Sequence, residues 1–285
     1  MFSLWVGVLA LSAGAPAAAP ALELTFQAAS ETSLAEPHDI VLSPDGRRLY
    51  VADNSNHRIV VMDPQSLAIT GVFGKGEVSA PHDVVFDGTG RLLVADTNNS
   101  RIAIYELDGE GGRLVGELKG GVSRPEGVTV HPDGSVLATG ASSGNLAIYR
   151  DGQVVAETAG FSSPHDVELD ADGGIWVADA GHDRIVRLDS SLREIRELSG
   201  AAYGFNGPRY MDFDSAGRLY VADKYTHRIV IVAPDGTVLG VVGTGRSGQG
   251  PNLFDRPEGV EIRGTDVWFS DTYNDRIVRY RIAGD

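Results

Sequence analysis

Six prolines are each followed by a side chain that can bind or catalyse: Pro37-His38, Pro81-His82, Pro125-Glu126, Pro164-His165, Pro208-Arg209 and Pro257-Glu258. The next positions read Asp39, Asp83, Gly127, Asp166, Tyr210 and Gly259. Imidazoles, carboxylates and a guanidinium at one recurring position can ligate a metal ion or hold a polar ligand. They do so only if the chain brings them to one place and each starts from a rigid element. Any site built this way therefore depends on the repeat that carries it.

The repeat is plain in the sequence. PHDIVLSPDGRRLYVADNSNHRIVVMD begins at Pro37 and PHDVELDADGGIWVADAGHDRIVRLD at Pro164, and similar units start near residues 37, 81, 125, 164, 208 and 257. Within a unit, β-branched and aromatic runs such as Leu49–Ala52 and Arg58–Met62 alternate with turns such as Pro44-Asp45-Gly46 and Pro132-Asp133-Gly134. That is a meander of short antiparallel strands, and no segment sustains a helical period. Four strands at a period of about 40–50 residues make a propeller blade. The sequence therefore predicts an all-β, six-bladed β-propeller over residues 22–285, with the residue after each proline at one mouth of the central channel. The sixth unit ends soon after Arg276–Ile282, while Leu22–Ala28 has no unit of its own. The N-terminal segment is expected to supply the outer strand of blade six and close the ring, since an unpaired sheet edge is a liability.

Five units share Asp-x-x-x-x-Arg-Ile: Asp53…Arg58-Ile59, Asp96…Arg101-Ile102, Asp179…Arg184-Ile185, Asp223…Arg228-Ile229 and Asp271…Arg276-Ile277. This pattern resembles the NHL repeat, whereas the Trp-Asp dipeptide of WD-type propellers is absent. In the third unit Gly140 and Asn145 replace both partners together. Joint loss implies that Asp and Arg pair within each blade, as a charge-assisted hydrogen bond that fixes the turn.

A second resemblance is narrower. Pro37-His38-Asp39-Ile40, Pro81-His82-Asp83-Val84 and Pro164-His165-Asp166-Val167 resemble the zinc-ligand motif of peptidyl-α-hydroxyglycine α-amidating lyase, another six-bladed propeller. In that family every second blade supplies a ligand, with a catalytic tyrosine and arginine nearby. The resemblance implies zinc on His82, His165 and Glu258 of blades two, four and six, with His38 as fourth ligand or general base. It likewise implies Tyr225 as the tyrosine, with Tyr273 in the same turn of blade six, and Arg209 as the cation. Structural calcium is implied at Asp39, Asp83 or Asp166.

Composition limits the alternatives. The formal charge of −15 disfavours nucleic acid or an anionic membrane as partner, because both would repel the chain. With no cysteine there is neither a disulfide framework nor a thiolate centre. Residues 1–21 contain no charged side chain and end in alanines, which predicts a signal peptide cleaved after Ala21 and a periplasmic or secreted protein. Gly243–Gly248 fits GxGxxG, but Pro251 follows instead of a helix, so no helix N-terminus receives a pyrophosphate and no nucleotide cofactor is expected. Three classes of function remain: a platform binding a peptide, glycan or protein on a propeller face, a zinc-dependent lyase taking a small substrate in the channel mouth, and a calcium-dependent propeller hydrolase.

Overall fold

The computed structural model describes residues 22–283, so the expected signal peptide, residues 1–21, lies outside the described residues. Six four-stranded antiparallel sheets form the blades of a β-propeller. Their innermost strands are Pro37–Leu42, Pro81–Phe86, Pro125–Val130, Pro164–Leu169, Pro208–Phe213 and Val260–Arg263. Each touches the next in a cycle that returns from blade six to blade one. The N-terminal strand Leu24–Ala29 pairs antiparallel with Arg276–Ile282, Leu24 opposite Ile282, as the fourth strand of blade six. No helix of the described residues is long and apolar enough to cross a membrane.

Burial follows position in the blade. The second strands Leu49–Asp53, Leu92–Asp96, Ile175–Asp179 and Leu219–Asp223 are buried at every residue, because a neighbouring blade covers each face. Their near-continuous apolar runs suit a strand packed on both sides. The outermost strands are far more exposed, as in Gln153–Ala159.

The Asp…Arg pairs are structural fasteners. Asp96, fully buried, accepts from Arg101 Nε at 2.7 Å and from the Ser79 backbone N–H at 2.7 Å, tying the turn to the segment that leads into its own blade. Asp179 does the same with Arg184 at 2.8 Å and Ser162 N–H at 2.7 Å. In blade three Ser143 takes over, accepting from Ser123 N–H at 2.9 Å and donating to Asn145 at 2.5 Å.

A second fastener joins consecutive blades. The residue before each repeat proline is left-handed: Glu36, Ala80, Arg124, Ser163, Gly207 and Arg256 have φ between 45° and 65°. In most blades its N–H is held by the residue that precedes the motif arginine one blade earlier, itself left-handed. Asp275 holds Glu36 at 2.9 Å, His57 holds Ala80 at 2.9 Å, Asp183 holds Gly207 at 2.7 Å and His227 holds Arg256 at 3.2 Å. Each non-glycine left-handed residue costs on the order of 1 kcal/mol, which the double fastening offsets. The resulting kink turns the residue after the proline toward the axis.

Candidate functional site

The kink brings His38, His82, Glu126, His165, Arg209 and Glu258 together at one mouth of the channel, each 0–9 % exposed. Glu258 lies just before its inner strand but stays in register, its N–H donating to Ser270 O at 3.1 Å. The rings of His38 and His82 meet edge to face at 4.4 Å, and those of His82 and His165 lie 6.3 Å apart. Tyr210 forms the floor: its hydroxyl reaches from blade five to Glu126 O of blade three at 3.0 Å.

The kink also orients the imidazoles. His38 Nδ1 lies 2.8 Å from Glu36 O. His82 Nδ1 lies 3.0 Å from Ala80 O and 2.8 Å from Thr97 Oγ1, whose own proton goes to Pro125 O. Asn54 Nδ2 also lies 3.1 Å from His82 Nδ1 but has Pro81 O to donate to, so the proton is assigned to Nδ1 of both rings, which leaves Nε2 as a bare acceptor facing the mouth, the arrangement in which histidines serve as ligands. Burial lowers both pKa values, that of His82 to about 3 with the neighbouring His38 adding to the effect, so both rings are neutral at ordinary pH.

Carboxylates face these bare nitrogens. Glu258 Oε2 lies 3.4 Å from His38 Nε2 and Glu126 Oε1 lies 3.8 Å from His82 Nε2. Burial works against ionisation of Glu126, but in acid, where imidazoles gain charge, His165, His82 and Arg209 outweigh it and hold the carboxyl at about 2. Glu258 is likewise held well below the usual range, against its burial, by His38, Lys224 and Arg209. Acceptor therefore faces acceptor at two points. Glu126 Oε2 is 2.7 Å from His165 Nε2, close enough for an ion pair but without a well-directed hydrogen bond, and Glu258 Oε2 likewise has none.

Blades five and six supply the opposite character. Arg209 Nη1 lies 2.5 Å from His165 Nδ1, and its Nη2 donates to Tyr225 Oη at 3.3 Å. Lys224 Nζ donates to Glu258 Oε1 at 2.5 Å. Tyr225 and Tyr273 form an exposed rim, 47 % and 41 % accessible. The same turn position in blades one to four holds Ser55, Asn98, Ser142 and Gly181.

Of the residues singled out in the sequence, His38, His82, His165, Glu258, Arg209 and Tyr225 share this mouth. Glu126, more than Glu258, stands between His82 and His165. Lys224 was not anticipated, although a signal exists: the first residue after the motif Asp reaches the ring of the next blade. Asn54 donates to Pro81 O at 3.1 Å, and Thr272 to Pro37 O at 2.8 Å. Asp39, Asp83 and Asp166 form a second layer, joined by Glu168, Asp212 and Glu261 around a cavity of about 50 Å³. Asp83 and Asp166 spend bonding capacity on buried backbone of the next inner strand, Asp83 accepting from Val128 N–H at 2.6 Å and Asp166 from Met211 N–H at 2.8 Å. Burial raises their pKa values, to about 7 for Asp83, and mutual repulsion adds to the effect for Asp39 and Asp166.

Zinc finds suitable donor chemistry in the neutral imidazoles and Glu126, but the two cations Arg209 and Lys224 stand in the same ring. Among the described residues no three His, Asp or Glu side chains are arranged to hold an ion. A groove of about 360 Å³ lined by Trp176, Phe213 and Leu219 lies between blades four and five, at the far ends of the inner strands. A counterpart of about 450 Å³ between blades two and three marks it as a recurring gap of blade packing.

The NHL repeat profile matches residues 34–62, 79–105 and 161–188. Comparison with curated proteins gives no match. Among solved structures, an auxiliary nutrient binding protein from Bacteroides thetaiotaomicron aligns with a TM-score of 0.72 at 16% identity, over 92% of this chain and 77% of that one. A streptogramin B lyase aligns with a TM-score of 0.66 at 16% identity, over 92% and 97%. Virginiamycin B lyase from Staphylococcus aureus aligns with a TM-score of 0.63 at 16% identity, over 87% and 80%. At such identity the likeness is one of fold.

Proposed function

Because the chain is an NHL-repeat six-bladed propeller, and that fold serves binding proteins and enzymes alike, we propose from its site that it is an exported ligand-binding propeller. Its ligand is a small polar molecule or chain end held at the mouth of the channel. One observation carries this reading. Among the described residues five buried side-chain atoms have no hydrogen bond, Glu126 Oε2, Arg209 Nε, Glu258 Oε2, Ser270 Oγ and Arg279 Nε, and three of the five belong to the ring residues. Native proteins leave few such groups, since each costs about 1–3 kcal/mol, and a cluster of them marks a place completed from outside. The bare acceptors on the histidine side call for a donor such as a hydroxyl or an amine. Of the solved structures above, one is named a nutrient binding protein and two are lyases, so the fold accommodates either outcome.

The test is a panel of small acids, amines, sugars and short peptides, read as shifts of the melting midpoint. Compounds acting at the mouth stabilise the parent and lose their effect in His82→Ala, while Arg196→Ala in the opposite groove leaves it intact. The reverse dependence would move the site to the groove. Export is checked by sequencing the mature N-terminus, expected at Leu22.

The tautomers of His38 and His82 favour a second reading, a zinc-dependent lyase. Zinc would supply a Lewis acid there only if His82, His165 and a ring carboxylate, Glu126 or Glu258, closed around it with His38 beside them, since as they stand they are not arranged to hold an ion. Tyr225 and Arg209 then stand within reach of a bound substrate. Metal analysis after incubation with zinc or calcium separates the readings. Stoichiometric zinc lost in the His82→Ala, His165→Ala double variant favours the lyase, and calcium lost in Asp83→Asn favours the hydrolase.

A further inference from the structure

We infer that the blade-five and blade-six side of the mouth is a carboxylate subsite, in which Arg209 grips the anion, Tyr225 and Tyr273 wall it and Arg256 adds positive charge at the rim. The inference rests on the mouth being the ligand site, and it names the chemical class of that ligand.

The protein carries a net charge of −15, yet three cations gather on one side of one mouth. They alternate with aromatic rings. The Arg209 guanidinium lies 5.6 Å from the Tyr225 ring, and Lys224 Nζ lies 5.7 Å from Tyr225 and 5.4 Å from Tyr273. The Arg256 guanidinium lies 4.5 Å from Tyr273. Only Lys224 pairs directly with a carboxylate, Glu258, while Arg209 lies close enough to Glu126 and Glu258 to help keep both ionised without touching either. Among the described residues, neither Arg209 nor Arg256 has a carboxylate oxygen within 4.0 Å. Arg209 is 8 % exposed and its Nε has no partner.

A buried guanidinium whose direct partners are an imidazole and a phenol, with its carboxylates held at a distance, is incompletely paired, and an arriving anion supplies the direct contact. Its planar fork suits a carboxylate, which takes two parallel hydrogen bonds. Tyr225 Oη accepts from Arg209 and keeps its own proton to donate to a ligand oxygen. Two half-exposed tyrosine rings where the other blades carry small or polar residues present flat apolar walls, which suit an acid with a planar body.

The experiment is calorimetric titration at low salt with benzoate, its neutral isostere benzamide, and inorganic phosphate. Benzoate is expected to bind at least tenfold more tightly than benzamide, and salt is expected to weaken it. Arg209→Gln should weaken benzoate at least tenfold, with Arg209→Lys restoring part of the loss. Should Arg209→Gln disturb folding, as its melting curve will show, Arg256→Gln at the partly exposed rim provides the second arm and should weaken benzoate severalfold. Equal binding of benzoate and benzamide, or benzoate binding untouched by both arginine changes in folded protein, overturns the inference. Phosphate binding as tightly as benzoate overturns its assignment to carboxylates. Neutral panel compounds that bind in a His82-dependent way while benzoate does not bind leave the mouth as the ligand site and remove only the anion subsite. Panel compounds whose effect survives His82→Ala remove both.

Discussion

At the residue scale, identical chemistry serves two ends. Asp96 and Glu126 are both buried acids, but Asp96 has every oxygen spent on Arg101, Ser79 and Asn99, whereas Glu126 keeps one unbonded. Asp96→Ala should therefore cost about 1–3 kcal/mol in urea unfolding, since it removes the acceptor of the Ser79 N–H, Asn99 and Arg101 while Arg101 keeps Glu117 and Glu77 O, and leave ligand binding at the mouth unchanged. A variant that keeps its stability and loses binding would reverse the assignment. The second-layer acids give a pH signature. Burial raises the Asp212 pKa to about 7, above the ordinary 3.9 or so of an unfolded chain, so the fold favours its protonated form. Its contribution is complete below about pH 4 and is lost as pH rises toward 7. Asp212→Asn never ionises, so its stability relative to the parent should improve from pH 4.5 to 7.5, measured by urea unfolding at both values. A constant difference would show that Asp212 is ionised throughout. The ring was legible in the sequence because a proline announces each member. Arg256 and the orphaned state of Glu126 were not, because both arise where separate blades meet, and no one-dimensional spacing encodes that meeting.

At the scale of elements, the left-handed residue before each proline explains why the ring exists at all. Without the kink, Pro-His would continue an ordinary strand, and its side chain would not be clamped by the carbonyl two residues back. The motif Asp and Arg were readable as a pair because blade three lacks both. The residue just before the Arg gave no such signal, since His57, Ser100, Asp183, His227 and Asp275 share no chemical type. What they share is a left-handed backbone and a side chain that can accept a hydrogen bond, and only the fold makes that common feature visible. The histidines among them, His57 and His227, are thereby structural. Ring closure was legible from arithmetic, one strand lacking at the end and one spare at the start. A chain beginning at Ser33 should lose the Leu24–Ala29 strand, expose the edge of Arg276–Ile282 and melt several degrees lower, with more aggregation on heating. An unchanged midpoint by calorimetry would mean that the strand adds nothing to closure.

At the scale of the molecule, six near-equivalent blades make a mouth of two unlike halves. Blades one to four contribute imidazoles, carboxylates and a low rim, while blades five and six contribute cations and the tyrosine wall. Tyr210 crosses the floor beneath, from blade five to Glu126 O of blade three, so a ligand of the proposed mouth site would rest against it. Fold class and blade number were evident from the repeat alone, but the division of the mouth was not, because it comes from single residues that depart from the repeat. The central claim is that this mouth is the ligand site, and nitrogen NMR of the imidazoles tests it most directly. His38, His82 and His165 line the mouth, whereas His131 lies in an inner-hairpin turn at the opposite end of blade three. With the tightest compound of the panel at saturation, the three mouth imidazoles are predicted to shift, His38 and His82 at Nε2 most of all, while His131 stays in place. Saturating binding that leaves all three unmoved, or that moves His131 instead, would contradict the account.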